Sequence, residues 1–229
     1  MRARRLMQPA ARKKVLLGAF AAVLVLGITG AYLYGAKKKL DLESSAAASV
    51  ADATTRLRDA AGIALDAPQA AARLSAHAEA MQAHLEELRA EDASRNKALA
   101  DAAELYLLDV QAIARNRSNA ARAQGAARAS TRALAAHLEH AADRGAGWIQ
   151  RALALKQRAE RDHFDLRSAL GALAGLVEAH RESQEKLKAA APNAPVLSDK
   201  ERLALFNATR AAEAQAGEEL ERLRRLPVG

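Results

Sequence analysis

The amino-acid sequence predicts an all-α protein in which one N-terminal transmembrane helix is followed by an elongated antiparallel helical bundle, or coiled-coil hairpin. The first observation behind this prediction is a run of 22 residues without a charged side chain, Val15–Ala36. The second is abundant alanine, which has the highest helix propensity and adds little apolar surface. The third is that no later segment shows the alternation or the β-branched runs of a strand. Since aromatic residues make up only 3% of the chain, we expect a thin core and an extended shape.

Residues 1–14 form a basic tail without acidic residues. The tail carries six basic side chains and Lys37–Lys39 add three, so nine of the 35 Lys and Arg residues flank the apolar run. The remaining 26 face 27 acidic residues over 40–229, and the net charge of +8 therefore belongs to the two flanks. This distribution argues against nucleic-acid binding and favours contact of the tail with anionic lipid.

Residues 15–36 form the predicted transmembrane helix. At ~1.5 Å per residue they span about 33 Å, enough for a hydrocarbon core of about 30 Å. Tyr32 and Tyr34 lie where aromatic rings favour the membrane interface. The larger basic charge before the span predicts a cytoplasmic N-terminus and a periplasmic helical domain, in the inner membrane of a bacterium. The alternative is a signal peptide cleaved after Ala31, although the apolar run is long for one.

Small residues recur every four positions in this span, at Gly27, Ala31 and Gly35. Residues at this spacing share one helix face, and small side chains let two membrane helices approach closely. We interpret this face as a candidate surface for helix association.

Residues 37–191 are predicted to form the helical bundle. A first helix covers about Leu42–Ile63, either separate from the transmembrane helix or continuous with it. Asp66 and Pro68 then predict the cap and first turn of a second helix that ends near Glu91. Asp92 or Ser94 can cap the third helix.

Two long helices, about 94–142 and 148–189, are predicted to form a hairpin around the turn 143–147. Short connections make antiparallel neighbours, and both helices carry apolar residues at seven-residue spacing. The seam of the first helix contains Leu99, Tyr106, Ile113, Ala120, Ala127, Leu134 and Ala141. The seam of the second contains Ala152, Ala159, Leu166, Leu173 and Leu187, and is interrupted by His180. Gly171 and Gly175 suggest the closest crossing.

A linker over residues 192–197 contains two prolines, which a helix cannot pass through. Ser198 and Glu201 then match a capping box, S-x-x-E, which predicts a C-terminal helix over 198–226.

Five arginines lie in the third helix within a stretch that has no acid and no apolar side chain larger than Ala. They are Arg115, Arg117, Arg122, Arg128 and Arg132. We expect all five on the solvated half of the helix, opposite the seam, and the alternative is a face that binds an anion.

No catalytic motif is present: the sequence contains no GxSxG, P-loop or HExxH pattern. Two histidine clusters have metal-like spacing, His137 with His140 and His77 with Met81 and His84, but neither has further convergent ligands. The chain has no cysteine. We therefore expect no enzyme, no catalytic residues, no metal site and no cofactor.

These features predict a structural or interaction protein of the bacterial cell envelope, anchored in the bilayer, that associates through its helices with an unknown protein partner or with a second copy. The alternative is a ligand-sensing helical bundle without its own output module, similar in layout to the external domains of bacterial chemoreceptors. Trp148, at the tip of the hairpin, is expected to pack on the local core or to anchor a partner.

Overall fold

Five α-helices make up nearly all of the described chain. The structure, a computed structural model, describes the backbone of residues 9–91, 96–139 and 145–227, and the side chains of these ranges from residue 32 onward. No strand occurs within these ranges, so the all-α prediction is confirmed for them. The helices are α1 (Pro9–Gly62), α2 (Ala70–Ala90), α3 (Lys97–Glu139), α4 (Ala146–Ala190) and α5 (Asp199–Arg225).

Helix α1 is one continuous helix of 54 residues that joins the predicted transmembrane segment to the first bundle helix. Among the side chains that the structure describes, no helix has a stretch both long and apolar enough to cross a bilayer. Residues 15–31, most of the predicted span, lie outside the described side chains, and so do Gly27 and Ala31 of the predicted association face.

Helices α3 and α4 form a long antiparallel hairpin. They have 43 and 45 residues, which corresponds to about 65 Å at ~1.5 Å per residue. The start of α3 shares an apolar cluster with the end of α4, and Leu134 shares another with Ala159 towards the opposite ends. The predicted seam residues within the described ranges are buried on both helices, and Ala141 lies outside those ranges.

The bundle has two halves of different composition. In the four-helix half, α1, α2, α3 and α4 surround a large apolar cluster that includes Leu42, Met81, Tyr106 and Leu173. In the three-helix half, α5 packs beside the hairpin over two smaller clusters of leucine and alanine side chains. The change from one half to the other occurs where α1 ends at Gly62 and α5 begins at Asp199.

The predicted start of α2 is wrong. Helix α2 begins at Ala70, after a turn in which Gln69 has a left-handed backbone with φ of 59°, and no side chain caps it. Asp66 lies four residues before α2, too far to be its N-cap, and its carboxylate instead pairs with Arg128 of α3 at 2.8 Å. Asp92 and Ser94 lie outside the described residues, and α3 is capped by Asn96, whose Oδ1 accepts a hydrogen bond from the Leu99 backbone N–H at 3.3 Å.

The capping box at the start of α5 is confirmed. The Ser198 hydroxyl accepts from the Glu201 backbone N–H at 3.2 Å, and the Glu201 carboxylate accepts from the Ser198 backbone N–H at 2.7 Å. The glycine prediction is wrong for Gly175, where a Cβ would meet nothing within 4 Å, whereas a Cβ on Gly171 would lie 3.2 Å from the Glu213 side chain of α5. Neither glycine therefore marks a close crossing of α3 and α4.

Candidate functional site: a cavity bordered by a buried arginine

A cavity of about 600 Å³ lies between the end of α1 and the first half of α5, with α3 and α4 beneath it. We call it the changeover cavity, because it lies where the four-helix half gives way to the three-helix half. One wall is formed by residues 61–65, where α1 ends. The cavity exists because one helix stops and another enters beside it without filling the same space.

Most of the lining is apolar. Leu170 and Leu173 of α4 contribute branched side chains, and Leu197 and Leu205 close the side next to the linker. Half of the lining residues that α5 contributes are alanines at four-residue spacing, Ala204, Ala208 and Ala212. Because these alanines project so little, the volume between α5 and the end of α1 stays open.

Arg117 of α3 borders the cavity and is buried, with only 7% of its surface exposed. Its Nη2 donates hydrogen bonds to the carbonyl oxygens of Ile63, at 2.8 Å, and Ala61, at 3.3 Å. These carbonyls lie at the C-terminal end of α1, where a cation is favourable. The Nε atom of Arg117 is buried without a hydrogen-bond partner among the described residues.

Within the described part of the chain, no carboxylate lies beside the charge of Arg117. No described Asp or Glu forms an ion pair with this side chain, and burial lowers the pKa of its guanidinium from the ordinary value. An arginine nevertheless stays protonated in a protein, so a positive charge remains in a largely apolar setting.

The expectation that all five arginines lie on a solvated face is wrong for Arg117. Arg117 follows Ile113 by four residues, which places it only about 40° around the helix from this seam residue. The other four arginines, Arg115, Arg122, Arg128 and Arg132, are exposed. The five therefore do not form one anion-binding face, since the buried member faces the cavity.

An ion pair stands at the edge of the cavity. Nε of Arg58 donates to Oε1 of Glu201 at 2.8 Å, and both side chains are partly exposed. The hydrogen bonds from Arg58 and Ser198 lower the pKa of Glu201 to about 2. Because Arg58 and Glu201 neutralise each other, the charged residues that line the cavity leave one net positive charge, on Arg117.

A second polar cluster is buried in the four-helix half. The hydroxyls of Tyr106 and Thr54 are 2.7 Å apart, and the Tyr106 ring lies 4.9 Å from that of His180. Nδ1 of His180 lies 3.7 Å from Asp109 Oδ2 and 3.2 Å from the Ser183 hydroxyl. Ser183 is in the same helix as His180 and fully buried, so no substrate can reach it as a nucleophile.

The remaining predicted site residues do not converge on a metal or catalytic centre. Nε2 of His84 lies 2.8 Å from Oδ2 of Asp52, whereas Met81 is buried in the large apolar cluster. The His137 ring stacks on Trp148, and its Nε2 is hydrogen-bonded to the Trp148 backbone carbonyl oxygen. His140 lies outside the described residues. Within the described ranges, no group of three or more His, Cys, Asp or Glu side chains could hold a metal ion.

The changeover cavity is not predicted by the sequence. Two signals point to it in retrospect: the four-residue spacing of Ala204, Ala208 and Ala212, and the position of Arg117 near the seam. Neither signal identifies a cavity alone, because its volume depends on where α1 ends relative to α5.

Comparison of the chain with protein-family models, with curated proteins and with solved structures found no match. Function is therefore inferred from the geometry and chemistry of this chain.

Proposed function

We propose that this chain is a single-pass membrane protein of the bacterial cell envelope, with its N-terminus in the cytoplasm and its helical bundle in the periplasm. It acts as a structural or interaction protein, through helix association with a protein partner or a second copy, and not as an enzyme. The transmembrane helix lies in the lipid bilayer, and the basic tail contacts anionic lipid headgroups.

The observation that carries this proposal is the continuity of α1. The same helix that supplies Leu42, Val50 and Leu57 to the core extends back without a break to Pro9. A helix that is rigid from the predicted span into the core would hold the bundle at a set orientation to the membrane. A flexible linker would not do so.

Exposed apolar residues of α1 at the C-terminal end of the predicted span support membrane contact. Four of its large apolar side chains, Tyr32, Leu33, Tyr34 and Leu40, are between 60% and 76% exposed. A cluster of exposed apolar residues marks a surface that meets a membrane or another protein. Nζ of Lys38 lies 5.4 Å from the centre of the Tyr34 ring, and paired basic and aromatic residues are typical of the membrane interface.

The small residues Gly27, Ala31 and Gly35 remain the proposed surface for association within the membrane. Their spacing would allow two copies of α1 to pack closely along the span.

Membrane fractionation tests the anchorage. The double variant Leu24→Arg/Leu26→Arg places two charges at the centre of the span, each costing about 2.5–3.5 kcal/mol there. We expect wild-type protein to stay in the membrane pellet after alkaline extraction, and the variant to move largely to the supernatant. The matched double variant Ala36→Arg/Leu40→Arg, at the interface, should stay in the pellet. Wild-type protein in the supernatant would refute the proposal.

The absence of cysteine makes the orientation testable as well. A Ser44→Cys variant, whose residue is exposed on α1, should react with a membrane-impermeant maleimide in cells with a permeabilised outer membrane. An Ala10→Cys variant should react only after lysis. The reverse pattern would refute the proposed orientation.

The changeover cavity favours a second candidate function, ligand sensing. It is a concave, mostly apolar volume with one charged group, which are the features of small-molecule sites.

A further inference from the structure

We propose that the changeover cavity binds a small amphipathic carboxylate, with the carboxylate at Arg117 and an aliphatic chain along the leucine and alanine lining. This inference deepens the second candidate function, ligand sensing, and uses the proposed anchorage only to distinguish a water-soluble ligand from a bilayer lipid.

Arg117 carries a positive charge that its protein partners only partly compensate. A buried cation is costly unless a counter-charge or several hydrogen bonds accompany it. The carbonyls of Ala61 and Ile63 supply part of this compensation, but both accept from the same nitrogen, Nη2, and Nε has no partner among the described residues. The hydrogen bonds that Arg117 donates to the end of α1 therefore use only part of the hydrogen-bonding capacity of its guanidinium.

The lining indicates what kind of anion fits. A guanidinium matches a carboxylate in shape and charge. One uncompensated positive charge balances one carboxylate, whereas a phosphate near pH 7 carries more charge and would need further donors. The rest of the wall near Arg117 consists mainly of leucine and alanine side chains, and the hydroxyl of Thr209 is already donated to the Leu205 carbonyl at 2.8 Å. An aliphatic chain would bury apolar surface there without leaving polar groups unpaired.

The size is compatible with such a ligand. The cavity volume, about 600 Å³, lies within the range of ~300–1,000 Å³ that small-molecule sites occupy. The partly exposed Arg58–Glu201 pair borders the cavity, so the ligand can enter from solvent without an opening of the core.

The position of the cavity favours a water-soluble ligand over a bilayer lipid, a step that rests on the proposed anchorage. Gly62 is 22 residues beyond Leu40, which corresponds to about 33 Å along α1. A lipid that remains in the bilayer could not reach Arg117 across this distance.

Octanoate is the probe for the test, and the full chain in nanodiscs is titrated by calorimetry against empty nanodiscs. We expect saturable binding of octanoate that exceeds the binding of neutral octanol at least tenfold. Arg117→Leu should remove this preference. Octanoate binding that equals that of empty nanodiscs, or that of octanol, overturns the proposal.

A cavity-filling variant keeps the test valid if Arg117→Leu does not fold. Ala208→Leu narrows the cavity from an exposed position of α5 and leaves Arg117 intact, so it should weaken octanoate binding at least tenfold. Ala211→Leu, an exposed residue of the same helix outside the lining, is the matched control and should bind as wild type does. Unchanged binding by Ala208→Leu also overturns the proposal. The anchorage is tested separately by alkaline extraction, so either idea can fail alone.

Discussion

Tyr106 and His180 occupy seam positions of α3 and α4 where an aliphatic residue would be ordinary. Both are buried, and their rings lie against each other. Thr54 Oγ1 donates to the Val50 carbonyl at 2.8 Å, so the Tyr106 hydroxyl donates to Thr54. Polar side chains with buried partners specify one register, because a shifted helix would leave them unpaired.

The pH dependence of stability should report the burial of Tyr106. Burial, partly offset by the hydrogen bond with Thr54, raises the pKa of Tyr106 to about 12. In the unfolded chain a tyrosine titrates near 10, so the unfolded state loses its proton first. The contribution of Tyr106 to the free energy of unfolding is complete below about pH 10. It should fall by about 1.4 kcal/mol per pH unit as the pH rises towards 12.

Tyr106→Phe removes this titration. We expect urea unfolding of the variant to give about 1 kcal/mol less stability at pH 7, from the lost hydrogen bond, and a shallower decline between about pH 10 and 12. Tyr32→Phe, at an exposed position, should behave as wild type does. Equal slopes for Tyr106→Phe and wild type above pH 10 would contradict the assignment.

Asp109 contrasts with Tyr106 in the same cluster. Burial raises its pKa, but hydrogen bonds from His180 and Ser183 outweigh burial and hold the pKa of Asp109 below its usual value. Its contribution to stability is therefore present above the pKa of the unfolded chain and is lost as the pH falls through the folded one. Acid and base thus weaken the same cluster through different side chains.

The buried seam is predictable from the sequence, whereas the burial of Arg117 is not. The seven-residue spacing identified the buried seam, including Tyr106, because this periodicity depends only on the local helix geometry. The burial of Arg117 was missed because the absence of acids and large apolar residues around it resembles a solvated face. What buries Arg117 is the end of α1, a tertiary contact with residues 54 and 56 positions away in the chain.

The ends of the helices also depend either on local sequence or on tertiary contacts, and only the local cases are predictable from the sequence. The capping box of α5 is local, since Ser198 and Glu201 are three residues apart and need no partner elsewhere, and sequence analysis identified it correctly. The start of α2 is not local, because Asp66 is held by Arg128 from another helix. Gln69, in a left-handed conformation, is not a residue that sequence rules would select there.

Removing the cap of α5 should have a measurable cost. Ser198→Ala leaves the Glu201 backbone N–H without its acceptor and should lower stability by about 1 kcal/mol in urea unfolding. Hydrogen exchange should accelerate first in the opening turn of α5, which borders the changeover cavity. Ser168→Ala, at an exposed position inside α4, is the matched control. A loss as small as that of the control would show that the box does not stabilise α5.

At the scale of the whole molecule, the two halves of the bundle differ in how much apolar surface they bury. The large cluster of the four-helix half draws leucine, isoleucine, valine, methionine and tyrosine side chains mainly from α1 to α4, and Leu205 of α5 joins it. The clusters of the three-helix half combine a few leucines with alanines. Because buried apolar area supplies most of the stability, the three-helix half should be the less stable part.

Hydrogen exchange measured by mass spectrometry would test this difference. We expect the α3 and α4 amides near Leu134 and Ala159 to exchange faster than those near Ile113 and Leu173, by about tenfold for each 1.4 kcal/mol of difference in opening free energy. Two matched variants separate local from global opening. Leu134→Ala should speed exchange mainly in the three-helix half, whereas Ile113→Ala, in the large cluster, should lower the global stability by about 2–5 kcal/mol. Equal protection along the whole hairpin would instead mean that the bundle opens as one cooperative unit, with the changeover cavity interrupting only the packing.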